Sequence, residues 1–282
     1  PEYFVLGDVV DVATDSRDRV FVFCRGNHPV VIFDREGNFV SCWGEGHVRQ
    51  SHGIFIGPDD AVYLIDSQAH TVEKFTPGGE LLMRLGTRDQ CASIVGRRPF
   101  NMPTGLALGA SGEMFVSDGY ANFLVHKFSP DGKLIKSWGE PGKRPGQFGL
   151  PHNIAVDKSG TVYVCDREND RVQLFTPEGE FISQWTDLRM PADIYVDQEK
   201  EVAYVAEIGG SLTDPFRYEP RISIWDLKGN MLSMWQGREG EGRGVLEVPH
   251  GIWVDSRGDI YEGEISGVAR RMPRIQKFAR VS

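Results

Sequence analysis

The sequence predicts an all-β fold, a six-bladed β-propeller, because one strand phrase recurs along the whole chain and each recurrence holds four short strands. The phrase reads VVIFDREG at 30–37, VEKFTPGG at 72–79, VHKFSPDG at 125–132, VQLFTPEG at 172–179 and ISIWDLKG at 222–229. A sixth copy opens with IQKF at 275–278 and stops before its last strand. The copies repeat at roughly 40 to 58 residues, the length of one propeller blade.

Each blade then follows in order. Ahead of the phrase lies a pair of apolar strands, as in IAVDKSGTVYVCD at 154–166, where Asp, Ser and Gly mark a hairpin turn. The phrase supplies a third strand ending in Phe or Trp, and a segment such as LIKSWG at 134–139 supplies the fourth. Blade six lacks that last strand. YFVLG at 3–7 resembles the outer strand FVSCWG at 39–44, so the N-terminus is expected to complete the blade and close the ring. Closure removes the open edges on which sheets aggregate. The expected organisation is one propeller domain over residues 1–282.

Bulk properties bound the function. Hydrophobic residues make up 40% of the 282 positions, enough for a large core, and no run reaches the ~18 apolar residues of a membrane helix. The net charge of −9, without a Lys/Arg cluster, argues against a nucleic-acid groove. Cys24, Cys42, Cys91 and Cys165 show no CxxC spacing, so neither a zinc ribbon nor a redox motif is expected, although their even number leaves disulfides open. No basic region followed by an apolar stretch marks a signal peptide. The expectation is a cytoplasmic protein without membrane or nucleic-acid partners. Because the chain begins at Pro1 rather than methionine, a removed leader and secretion stay open.

Aligning the blades exposes the candidate site. Blades two, four and six enter their innermost strands with SHGI at 51–54, PHNI at 151–154 and PHGI at 249–252. The equivalent positions in blades one, three and five are Val10, Thr104 and Ala192, none a side-chain metal ligand. Alternate blades of a six-fold ring are related by about 120°, so His52, His152 and His250 converge on the axis. A lone histidine usually caps a strand end; three at one register on alternate blades predict a metal site with an open coordination position. Imidazole suits Zn2+ or another divalent transition metal. His28, His47, His70 and His126 share no such register and are expected to be structural or exposed.

The repeats resemble the NHL family of propellers across essentially the whole chain. Within it, FCRGNH at 23–28, VSDGYAN at 116–122, RPGQF at 144–148, DRENDR at 166–171 and the three histidine motifs resemble peptidyl-α-hydroxyglycine α-amidating lyases. That resemblance implies a zinc-dependent lyase that cleaves the C–N bond of a peptidyl or N-acyl α-hydroxyglycine, or a related carbinolamide, to an amide and glyoxylate. It implies zinc on His52, His152 and His250, with Arg25 and Tyr120 as active-site residues. Arg25 could grip the substrate carboxylate; Tyr120 could serve as a base if the metal or Arg25 lowered its pKa.

The sequence also departs from that family. Val248 stands where the family has a methionine, and Gly251 where it has a calcium-binding aspartate. Structural Ca2+ would then rest on backbone carbonyls matching Val10 and Ile54. Long loops in blades five and six make Arg217, Tyr218, Arg270 and Arg271 candidates to meet a different small-molecule or peptide-like substrate. Two other functions fit the same fold. One is metal-assisted hydrolysis of an ester, lactone or amide; the other is a non-catalytic NHL module that binds a protein or RNA.

Overall fold

The computed structural model describes residues 6–93, 96–210, 217–237, 243–266 and 273–280. Six antiparallel sheets form the blades of a propeller, as the repeats predict. Five have four strands in sequential order, and the sixth has three among the described residues: Pro249–Val254, Ile260–Glu264 and Arg274–Phe278. Tyr3, Phe4 and Val5 of the expected closing strand lie outside the described residues, while Leu6 packs on the cluster joining blades one and six. That junction is tight by other means. Trp253 Nε1 donates to Thr14 Oγ1 at 2.9 Å, and the Arg35 guanidinium pairs with Asp255 at 2.9 Å.

Burial follows the strand order. The second strand of blades one to four is buried along its whole length (Val20–Cys24, Val62–Asp66, Met114–Asp118, Val162–Asp166), and the fourth is largely exposed. Between blades, large side chains interdigitate. Trp185 of blade four stacks on Trp225 of blade five with ring centroids 5.7 Å apart. The four cysteines are all free, and no helix of the described residues is long and apolar enough to cross a membrane.

Two devices position the inner strands. The first is a buried acid at the end of the second strand, which clamps the segment entering the first. Asp66 accepts the backbone N–H groups of Arg49 and Gln50, Asp166 those of Gly149 and Leu150, and Glu264 that of Glu247. Each clamp lies two or three residues ahead of a histidine. The second device is a β-bulge. In blades two, four and six the ladder register shifts across His52, across His152 with Asn153, and across His250, and the same shift falls at Val10 and Ala192 in blades one and five. A bulge turns the extra residue out of the regular alternation, so each axial residue is aimed by its own strand.

The Asp166 clamp also holds Arg171, whose Nε lies 2.8 Å from Asp166 Oδ2 and whose side chain is 6% exposed. Asp166→Ala leaves that guanidinium buried without its counter-charge. We expect a loss of ~3–5 kcal/mol, read as a lower urea midpoint.

Candidate metal centre

His52, His152 and His250 meet on the axis. Their ring centroids are separated by 4.7, 5.3 and 4.8 Å, and one nitrogen of each lies within 4.8 Å of the others. All three are 3% exposed or less. The alternate blades supply what the histidines need behind them. His52 Nδ1 donates to the Thr104 carbonyl at 2.6 Å, His152 Nδ1 to Ala192 at 2.6 Å, and His250 Nδ1 to Val10 at 2.7 Å. A carbonyl only accepts, so the proton sits on Nδ1 and the Nε2 lone pair is left for a ligand.

Electrostatics favour the same form. Burial holds His52 well below the usual imidazole range, with His250 and Arg25 adding to it. Burial and then Arg167 do the same to His152, and burial brings His250 to about 3. Neutral imidazole is the form that binds a metal. Three neutral nitrogens on one axis with outer hydrogen bonds satisfied fit Zn2+ or a similar divalent ion.

Tyr120 lies over the triad. Its hydroxyl is 2.9 Å from His52 Nε2 and 3.4 Å from His152 Nε2. It follows the second strand of blade three, in a loop that presses on blade four. A Cβ on Gly119 would lie 2.0 Å from the Pro151 carbonyl oxygen, so only glycine allows that approach. Arg25 donates from Nε to the Ser51 carbonyl at 3.3 Å and pairs with Asp8 at 3.4 Å, beside the His52 strand.

Sequence reading passed over Arg167. It opens a single 3₁₀ turn, Arg167–Asn169, whose first N–H donates to the Leu150 carbonyl. Its guanidinium lies 5.7 Å from the Tyr120 ring centroid, and its charge acts on all three histidines. Tyr120 and the two arginines therefore come from the same loop of blades three, one and four. The signal was its place directly after Asp166, as Arg25 directly follows Cys24 at the end of the matching strand.

Of the loop candidates, Arg217 and Tyr218 are among the described residues. Arg217 forms an ion pair with Asp170 at 2.7 Å, and the Arg217 and Arg189 guanidiniums lie 4.8 and 5.9 Å from the Tyr218 ring centroid. Neither shares a described contact with the triad. Arg270 and Arg271 lie outside the described residues.

One residue further along the inner strands, the axis turns acidic. Asp11 and Asp193 bring their carboxyl groups into hydrogen-bonding contact, fully buried, beside Asn153. They line a cavity of about 400 Å³ whose other walls are mainly apolar side chains. Gly251 belongs to this layer, where a Cβ would lie 2.5 Å from the Asp11 Cα. A side chain at 251 would therefore collide with the neighbouring blade's Asp11.

Burial, then the Asp193 charge, raises Asp11 well above the carboxylate range, and burial raises Asp193 to about 6. The Asp11–Asp193 pair therefore holds protons in the folded protein that it gives up in the unfolded chain, and its own contribution to stability should fall as pH rises from the ordinary carboxylate value through about 6, opposite in sign to that of the three neutral histidines. Asp11→Asn should flatten that fall, measured as thermal midpoint against pH.

Comparison with known proteins agrees with the fold. The NHL repeat model matches residues 148–175, which contain His152. NHL repeat-containing protein 3 of Homo sapiens is 31% identical over 295 residues, covering 99% of this chain and 81% of the human protein. Peptidyl-alpha-hydroxyglycine alpha-amidating lyase 1 of Drosophila melanogaster is 30% identical over 261 residues, covering 85% of this chain and 46% of the fly protein. A streptogramin B lyase structure superimposes with a TM-score of 0.64 at 12% identity, over 99% of this chain and 86% of the other, and shares the propeller alone. With repeated blades, a matching repeat and 31% identity to a relative covered over four-fifths of its length, the chain belongs to the family of NHL repeat-containing proteins.

Proposed function

We propose that the protein is a metal-dependent carbon–nitrogen lyase acting on an N-acyl or peptidyl α-hydroxyglycine, or on a related small carbinolamide. The observation that carries this reading is the phenol of Tyr120 poised over two of three converging imidazoles, with Arg167 over its ring and the charges of Arg25 and Arg167 both acting on His52. Similarity to the fly lyase supports it from outside the structure. His52, His152 and His250 would hold Zn2+ or a similar ion through Nε2. When bound, that ion supplies Lewis-acid polarisation of a substrate oxygen.

The chain's own groups account for the proton movements. Cleavage of the carbinolamide removes the hydroxyl proton, breaks the C–N bond and protonates the departing amide nitrogen. As the phenolate, Tyr120 would take the first proton and return it to nitrogen, ending the cycle as it began, so atoms and charge balance without a second acid. Arg25 and Arg167 supply positive charge for the substrate carboxylate and for a phenolate at Tyr120. Among the described residues, no carboxylate contacts the triad to serve as the base of a hydrolytic mechanism, which favours the lyase over ester, lactone or amide hydrolysis.

Calcium has its own place in this reading. The hard oxygen donors that would hold it are the carboxylates of Asp11 and Asp193 with the Asn153 side chain. The Val10 carbonyl is engaged by His250.

The test is turnover of α-hydroxyhippurate, followed as glyoxylate release, by protein stripped of metal and reloaded with zinc. Release that depends on zinc supports the lyase. Zinc binding without glyoxylate rejects this substrate class, and protein that takes up no zinc at the triad leaves the non-catalytic NHL module.

A further inference from the structure

We propose that His28, Cys42 and Glu45 form a second metal site, on the outer part of blade one, for a thiophilic divalent cation such as Zn2+. It shares no residue with the axial triad. One ligand atom from each of the three lies within 4.8 Å of the others. His28 Nδ1 is 2.5 Å from Glu45 Oε1 and 3.6 Å from Cys42 Sγ. The thiol and the carboxylate thus approach the same ring nitrogen. A relay that activates a cysteine needs them on opposite nitrogens, so this arrangement builds no nucleophile. A single cation at the shared point would engage all three groups.

The chain holds these residues in place independently of any ion. Val31 pairs with Cys42 and Val30 with Trp43 across the ladder, which brings the loop bearing His28 beside the outer strand Phe39–Trp43. Glu45 sits between Gly44 and Gly46, at φ +98° and +70°, in a turn closed by the His47 N–H on the Gly44 carbonyl at 3.0 Å. From behind, the Cys24 thiol donates to the His28 carbonyl at 3.3 Å.

Donor chemistry selects the ion. One sulfur, one imidazole nitrogen and one carboxylate oxygen suit zinc and disfavour magnesium or calcium. The side chains of His28 and Glu45 are 42% and 49% exposed, which leaves a fourth position open to solvent or an exogenous ligand. A metal takes sulfur as the thiolate, so binding would release the Cys42 proton.

Reduced, metal-stripped full-length protein titrated with Co2+ should develop a near-ultraviolet sulfur-to-cobalt charge-transfer band. The axial site has no sulfur and cannot give one, so the band should persist in His152→Ala and vanish in Cys42→Ser. Glu45→Gln should weaken it. In a second measurement on the wild-type chain, added zinc should slow maleimide alkylation of Cys42 at least ~10-fold, while exposed Cys91 changes less than ~2-fold. A wild-type titration without the band, a band that survives Cys42→Ser, or equal alkylation of Cys42 with and without zinc overturns the site. Loss of glyoxylate release with the band intact would count against the axial reading alone.

Discussion

Replacing His152 with alanine is expected to strip the axial ion and to lower glyoxylate release by more than the ~10–100-fold that loss of an outer partner costs at a metal centre. His152 should show the effect most cleanly. Its Nδ1 is anchored on Ala192, its Nε2 lies 3.4 Å from the Tyr120 hydroxyl, and its ring is within 5 Å of both other imidazoles. The variant removes a ligand while leaving the bulge and the Asp166 clamp, which act on backbone. Metal content and turnover should fall together while the urea midpoint of metal-free protein changes little. Turnover that survives loss of the ion would place the chemistry elsewhere.

Tyr120→Phe should separate chemistry from metal binding. The phenol touches two imidazoles through one oxygen, and phenylalanine keeps the ring packed against His52, 5.1 Å away, and against Arg167. Zinc affinity should therefore change little. Removal of a positioned proton carrier should lower kcat by ~10²–10⁴-fold, with KM nearly unchanged because ground-state contacts survive. The measurement is steady-state glyoxylate release at saturating zinc. A large rise in KM at constant kcat would assign Tyr120 to substrate binding.

The histidines were legible in the sequence because a repeat fixes register. Once SHGI, PHNI and PHGI align, ring symmetry dictates where the side chains go. Their partners were not legible. The acceptors on Thr104, Ala192 and Val10 are backbone carbonyls, which every residue carries, so side-chain identity at those positions says nothing. Arg167 lay in plain view within DRENDR, but its nearness to Tyr120 depends on a Gly119 contact between blades that no spacing encodes. Gly251 looked like the loss of a carboxylate. In space Asp11 of the next blade closes on Gly251 and leaves no room for a side chain there, an approach between positions 240 residues apart in the sequence. Arg217 was expected at the channel mouth from the length of its loop, and its ion pair with Asp170 is an approach that loop length does not encode.

Three imidazoles at one register on every second blade make the centre a matter of angle. Their convergence needs blades set about 120° apart, which a ring of six supplies at every second blade and a ring of five or seven does not. Gain or loss of a single repeat, the simplest event in the history of a tandem array, would leave each imidazole a carbonyl to rest on and still draw the three nitrogens out of their symmetric meeting. The centre is tied to six blades by angular spacing, whatever side chains its neighbours carry.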